Sequence, residues 1–189
     1  AAVLFEQSSE HHMQAETIMR TVPGLVRKMA VRHMPFEHFV VRKAEKFVSP
    51  PPFGLPAMEF AYLWHCLAQT PVYLLVEEHL ERIDHVLRHL GQYESPAAFP
   101  GGAQAFYSQH CLAHFLRGVV LRYAAFPKKY TVVQPPRHEH LPVAQMASDA
   151  AHALHTVCAD GQHLDAVDRY LVYFAHYELG KLYTAQGEF

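Results

Sequence analysis

The stretch PVYLLVEEHLERIDHVLRHLG at 71–91 constrains the fold most. Its apolar residues Val76, Leu80, Ile83, Leu87 and Leu90 step by 4, 3, 4 and 3. That spacing draws one stripe down a helix of about 3.6 residues per turn. The other face holds Glu77, Glu78, Glu81, Arg82, His85, Arg88 and His89, so the stripe faces a core and the rest faces water. Thr70 is placed to cap this helix, Pro71 to open it and Gly91 to end it. The same period runs through nearly every other segment, and no stretch of any length alternates as a strand would. Helices are expected from Ser8 or Ser9 to Thr21, over PGLVRKMAVR from Pro23, from Pro35 through Phe47, from Ala57 to Gln69, from Ala103 to Ala125, from Val143 to Cys158 and from Ala166 to Gln186. Phe36, Phe39, Val40 and Phe47 share one side of their helix. The prolines of SPPPFGLP (49–56) forbid a helix or inner strand and read as a rigid connector. FPKKYTVVQPPRHEHLP (126–142) reads as an irregular insertion, with TVV as a short extended piece. The fold class is all-α.

The composition limits what such a chain can do. A formal net charge of −2, from 16 Lys and Arg against 18 Asp and Glu, leaves no basic footprint for nucleic acid. Arg20, Arg27, Lys28 and Arg32 make a modest basic patch that reads as a solvated face. CLAHFLRGVVLRYAAF is broken by His114, Arg117 and Arg122, so no run reaches the roughly 20 apolar residues of a membrane helix. Cys66, Cys111 and Cys158 are too scattered for a disulfide framework; each reads as a small core residue in an apolar helical context, which fits a reducing compartment. The first residues lack the basic start of a secretory signal. The chain begins as though inside a helix and stops just past a turn signal, so it reads as a segment of something longer.

A second pattern sits in YELGKLYTAQGEF. Leu179 and Gly180 are followed by Tyr183 and then Gly187. This spacing resembles the first helix of a tetratricopeptide repeat, a helix hairpin of about 34 residues. In that reading Leu179 faces the second helix of the hairpin, Gly180 lets a neighbouring backbone come close, Tyr183 fills the groove one turn on, and Gly187 makes the left-handed turn. A second helix pair is argued upstream. Phe115, Leu116, Gly118 and Leu121 lie on its first helix, with Met146, Ala150, Ala153, Leu154 and Val157 facing inward from its second. The expected architecture is a stack of antiparallel helix hairpins forming a tetratricopeptide-repeat-like superhelix.

AETIMRTVPGLVRKMA, PFEHFVVRKAEKF and LPAMEF, then DRYLVYFAHYELGKLYTAQGEF at 168–189, occur in an order that resembles the tetratricopeptide repeat protein 39 family, which includes the fungal inclusion-body clearance proteins. The match is close over Asp168 to Gly187 and much weaker from about Gln92 to Leu141. The resemblance implies residues 1–91 as a family-specific helical region and residues 92–189 as repeat-like pairs ending in an incomplete repeat. It also implies a chain without catalytic residues or cofactor, in a cytoplasmic adaptor role, peripheral to mitochondrial or lipid-droplet surfaces.

Sixteen histidines in 189 residues raise a metal reading. His85 with His89, and His110 with His114, are spaced i,i+4, which brings two imidazoles to one helix face. Glu81 stands one turn before His85, so Glu81, His85 and His89 could clamp an ion. The competing reading is a solvated face for His85 and His89, and a packed polar stripe for His110, His114 and Arg117. A histidine-rich surface also changes charge near pH 6.5. There is no H-E-x-x-H motif, phosphate loop or nucleophile elbow, and neighbours i,i+1 such as His110 and Cys111 diverge on a helix. Three functions follow: a non-enzymatic scaffold that recognises proteins along a stacked helical wall, with 12 Phe, 10 Tyr and 1 Trp to furnish it; a permanent subunit of a larger assembly; or a histidine-ligated metal enzyme or sensor.

Overall fold

A computed structural model of the chain describes residues 9–25, 35–49, 54–128 and 141–187. Every regular element among them is helical. Residues 26–32 of PGLVRKMAVR, residues 50–53 of the proline connector, TVV and residues 129–140 of the insertion lie outside the described residues. The chain divides into two compact units, 1–60 and 61–189. The family resemblance suggests a division at 91/92 instead. The 72–90 helix packs on the helix that follows it.

In the first unit, α1 is Ser9–Thr21 and α2 is Pro35–Val48, both close to expectation. VPGL forms a turn of 3-10 helix, Val22–Leu25. On α2, Phe47 is buried with Ala44, while Phe39 and Val40 are half-buried. Lys43 Nζ donates to Glu59 Oε1 at 2.5 Å, an ion pair with little exposure on either side.

Helix α3 is Pro56–Leu63 and stops six residues short of the expected Gln69. His65 takes a left-handed φ of 59°. Its N–H bonds the Tyr62 carbonyl at 2.9 Å, and the Cys66 N–H reaches back to Ala61 O at 2.8 Å. This pair of bonds is a Schellman closure. Histidine tolerates the left-handed region better than most residues, so no glycine or proline marks the stop. Trp64 and Cys66 are left exposed, so Cys66 is not the core residue expected.

Among the described residues the second unit holds four longer helices in sequence. Val72–Leu74, Leu75–His79 and Leu80–Leu90 form one continuous helix, α4, whose middle piece is π-helical. The Leu80 N–H bonds Leu75 O, one residue further back than in an α-helix. The seam therefore turns. Leu75, Ile83 and Leu90 are fully buried, whereas Val76, Leu80 and Leu87 are half-buried. Thr70 does not cap the helix: its hydroxyl donates backwards to Cys66 O. Gly91 ends it without a left-handed turn, at φ −67°.

Helix α5 (Gly102–Ala125), α6 (Val143–Asp160) and α7 (Tyr170–Gln186) follow. Helix α7 starts four residues late, because Asp165 Oδ1 accepts the N–H groups of Val167 and Asp168, both at 2.9 Å, and holds a turn there. Successive helices run in opposite senses. Asp84 meets Arg117 between α4 and α5, and Gly118 meets Leu154 while His110 meets Asp160 between α5 and α6. Between α6 and α7, Cys158 meets His176 and His155 meets Tyr183. Helix α5 is buried almost all round from Cys111 to Ala125, as an interior helix with apolar residues on every side must be. One core cluster joins Leu121, Ala124 and Ala125 of α5 to Met146, Ala147 and Ala150 of α6 and Leu182 of α7, with Val72, Val76 and Leu80 of α4 against it.

Candidate functional site

The α5–α6 seam is built on small residues. Met146, Ala150, Ala153, Leu154 and Val157 all face inward and are buried, as the helical spacing predicts. Opposite them a Cβ at Gly118 would fall 2.5 Å from Leu154 Cγ and 3.1 Å from the Ala150 carbonyl oxygen. Carbon atoms pack at about 3.5–4.0 Å, so this crossing has room for a hydrogen and not for a methyl. The close approach expected at Gly180 is made at Gly118.

Gly180 itself lies exposed on α7, and nothing among the described residues comes within 4 Å of a Cβ placed there. Its neighbours in the motif are placed differently. Leu179 is buried, and the Tyr183 hydroxyl sits 2.9 Å from His155 Nε2, tying α7 to α6. Gly187 ends α7 at φ 76°, ψ 17°, the left-handed turn expected of it.

Between Leu179 and the buried side of α5 lies a feature the sequence reading did not single out. Glu178 is 1% exposed, and Arg122 Nε donates to its Oε2 at 2.6 Å. The Tyr62 hydroxyl donates to Glu178 Oε1 at 3.1 Å, and Lys181 Nζ donates to the same oxygen at 3.0 Å. Arg122 also lies over the Tyr123 ring, 4.1 Å from its centre. The Tyr62 ring is held edge-on by Phe115 and Phe174. Burial and then the Glu178 charge push the Tyr62 phenol up, so it stays a donor. A carboxylate taken out of water needs such partners, and removing one leaves an uncompensated charge. The group clamps α5 to α7. Periodicity could have found it: Glu178 and Leu182 are one turn apart, on the face that Ala175 and Leu171 also bury.

The metal candidates do not assemble. Glu81 is held by Arg88 at 2.6 Å, and His89 packs its ring against Tyr93. His85 is exposed. Among the described residues no group of three or more His, Cys, Asp or Glu could hold a metal ion. His110 and His114 do come together, with ring centres 4.4 Å apart. Their surroundings are packing: Phe106 stacks on His110, and His110 Nδ1 lies 3.2 Å from Asp160 Oδ2. No helix among the described residues is long and apolar enough to cross a membrane.

The outer face of α7 is open. Tyr173, Tyr177, Gly180 and Thr184, spaced 4, 3 and 4, are all exposed. Tyr173 is 70% and Tyr177 57% exposed, and Lys181 Nζ sits 4.4 Å from the centre of the Tyr177 ring.

Consecutive antiparallel helices, packed neighbour on neighbour across small residues, define a helical-repeat protein of the tetratricopeptide type. The family model described as Iml2/Tetratricopeptide repeat protein 39 matches residues 2–124. The chain belongs to the Iml2/Tetratricopeptide repeat protein 39 family. The match runs through Gln92–Ala124, where the sequence resemblance is weak, and ends before Asp168–Gly187, where it is strong. None of the solved structures matches the chain.

Proposed function

We propose that the chain is a non-enzymatic scaffold that recognises a protein partner through the outer face of α7. The observation that carries this reading is the row of Tyr173, Tyr177 and the open Gly180. Tyrosine supplies large contact area with few torsions to freeze, and it is enriched at recognition surfaces. Gly180 costs its helix about 1 kcal/mol relative to alanine, and among the described residues no packing offsets that. A side chain from a partner entering above Gly180, as Leu154 enters above Gly118, would offset it. Family membership supports the same reading, with a cytoplasmic location peripheral to an organelle surface as its cellular setting.

The test is a photo-reactive phenylalanine analogue placed at Tyr177 in the cell, with another at Gln145 on exposed α6 surface. A protein adduct from position 177 and none from 145 supports the proposal; equal adducts, or none at 177, refute it. The same face would serve a permanent subunit of an assembly, a second reading favoured by the size of the exposed aromatics. Size-exclusion chromatography of the isolated chain separates the two, since a soluble monomer counts against a permanent subunit.

A further inference from the structure

His110 and His114 lie on the half of α5 that faces α6, edge to face. His114 Nδ1 is buried and has no hydrogen-bond partner among the described residues. The charged and titratable groups around the pair come from three helices. On α5 itself stand His110 and Arg117. From α6 come His152, whose charge opposes a proton on His114, and Asp160, which sits beside His110. From α4 comes Asp84, already 3.0 Å from Arg117 Nε. Each nearby carboxylate therefore has a cationic or protonatable partner before His114 takes a proton. A charge on His114 would lie among His110, Arg117 and His152 with no anion of its own and no acceptor for the new N–H.

We propose that His114 is an acid-sensitive lock on the helix stack: neutral, it lets α6 close on α5, and protonated, it drives that packing apart. The direction follows from the surroundings. Burial first, then His110, Arg117 and His152, hold its pKa down to about 4 in the folded chain, against about 6.5 for a free histidine. The unfolded or opened chain thus binds more protons between these limits, and stability falls as pH falls through them. At pH 5 this one group favours the unfolded chain by about 30-fold, and at pH 7.5 by almost nothing. Burial depresses His110 and His79 as well, so the whole chain loses more than His114 alone contributes. This regulation is separate from the partner face of α7.

The experiment is urea unfolding of the full chain by far-UV circular dichroism at pH 7.5 and pH 5.0. The proteins compared are the wild type, His114→Leu, His114→Gln and the exposed control His85→Gln. The wild type and His85→Gln should lose stability together on acidification. The rise in unfolding constant should be about 30-fold smaller in His114→Leu or His114→Gln. If both variants keep the full acid loss, the proposal fails. Should neither fold at pH 7.5, the His114 ring titration by NMR in the wild type decides. A ring titrating near pH 4 upholds the lock, and one titrating at 6.5 or above overturns it.

Discussion

Replacing Gly118 with alanine tests the α5–α6 crossing against a known opposing effect. In a helix interior alanine is favoured over glycine by about 1 kcal/mol, so without neighbours the change would stabilise. Here the new methyl would start 2.5 Å from Leu154 Cγ and 2.8 Å from its Cδ2, with the Ala150 carbonyl oxygen at 3.1 Å. Cγ is the branch point of Leu154, not a free end, so the helices must part or Leu154 must leave its rotamer. Overpacking of this kind costs about 1–3 kcal/mol, occasionally more, and the two short contacts place it at the upper end. The net expectation is a loss of about 1–2 kcal/mol. For a chain of this length that lowers Tm by about 2–8 °C. Gly180→Ala, on the open face, carries the propensity gain alone and should raise Tm by about 2–4 °C. In a Leu154→Ala background, itself costing about 2–5 kcal/mol, Gly118→Ala should turn stabilising, which gives a coupling of more than about 2 kcal/mol between the two positions. The assay is urea unfolding followed by circular dichroism at pH 7.5. If Gly118→Ala and Gly180→Ala stabilise alike, the crossing is not packed as described.

Further outcomes follow from the same structure. Glu178→Ala should cost about 3–5 kcal/mol, because it strands buried Arg122, and Arg122→Met should cost less, because Lys181 stays 3.0 Å from Glu178 Oε1, whereas the double variant Arg122→Met/Glu178→Leu should recover most of the Glu178→Ala loss; additive losses in thermal unfolding would contradict the clamp. Gly187→Ala should destabilise by about 1 kcal/mol, since φ there is 76° and a Cβ disfavours that region; an unchanged urea midpoint would count against it. Thiol titration with an aromatic disulfide at pH 8 should label exposed Cys66 first. Cys111 should stay unlabelled until the chain unfolds, because burial, with Asp160 and Asp168 adding to it, pushes its thiol up to about 12.

The helices were legible because their apolar stripes are long. Ser9–Thr21, Pro35–Val48 and Gly102–Ala125 all fall within a residue or so of expectation. The inward row of Met146, Ala150, Ala153, Leu154 and Val157 was legible for the same reason. The misses share a cause, which is that local signals cannot report tertiary partners. Nothing in AMEFAYLWHCLAQ marks His65 for a left-handed turn, and nothing in LLVEEH marks a π-helical turn that rotates the seam. Gly180 matches the motif and yet lies open, while Gly118, a weaker match, makes the tight crossing, because glycine reports the need for space and not which neighbour uses it. Glu178 falls by its spacing on the buried face with Leu171, Ala175 and Leu182, but the sequence does not show that Arg122 and Tyr62 hold it there.

Recognition by the outer face of α7 is tested most directly by removing its exposed rings. Tyr173→Ser/Tyr177→Ser removes both exposed rings without touching the buried face, so Tm should stay within about 2 °C of wild type, as for surface changes generally. Affinity of this variant for the protein cross-linked through position 177, measured by calorimetry with both purified, should fall at least about tenfold, given that aromatic anchors carry much of the energy of such contacts. Unchanged affinity in a folded variant would contradict the assignment of this face.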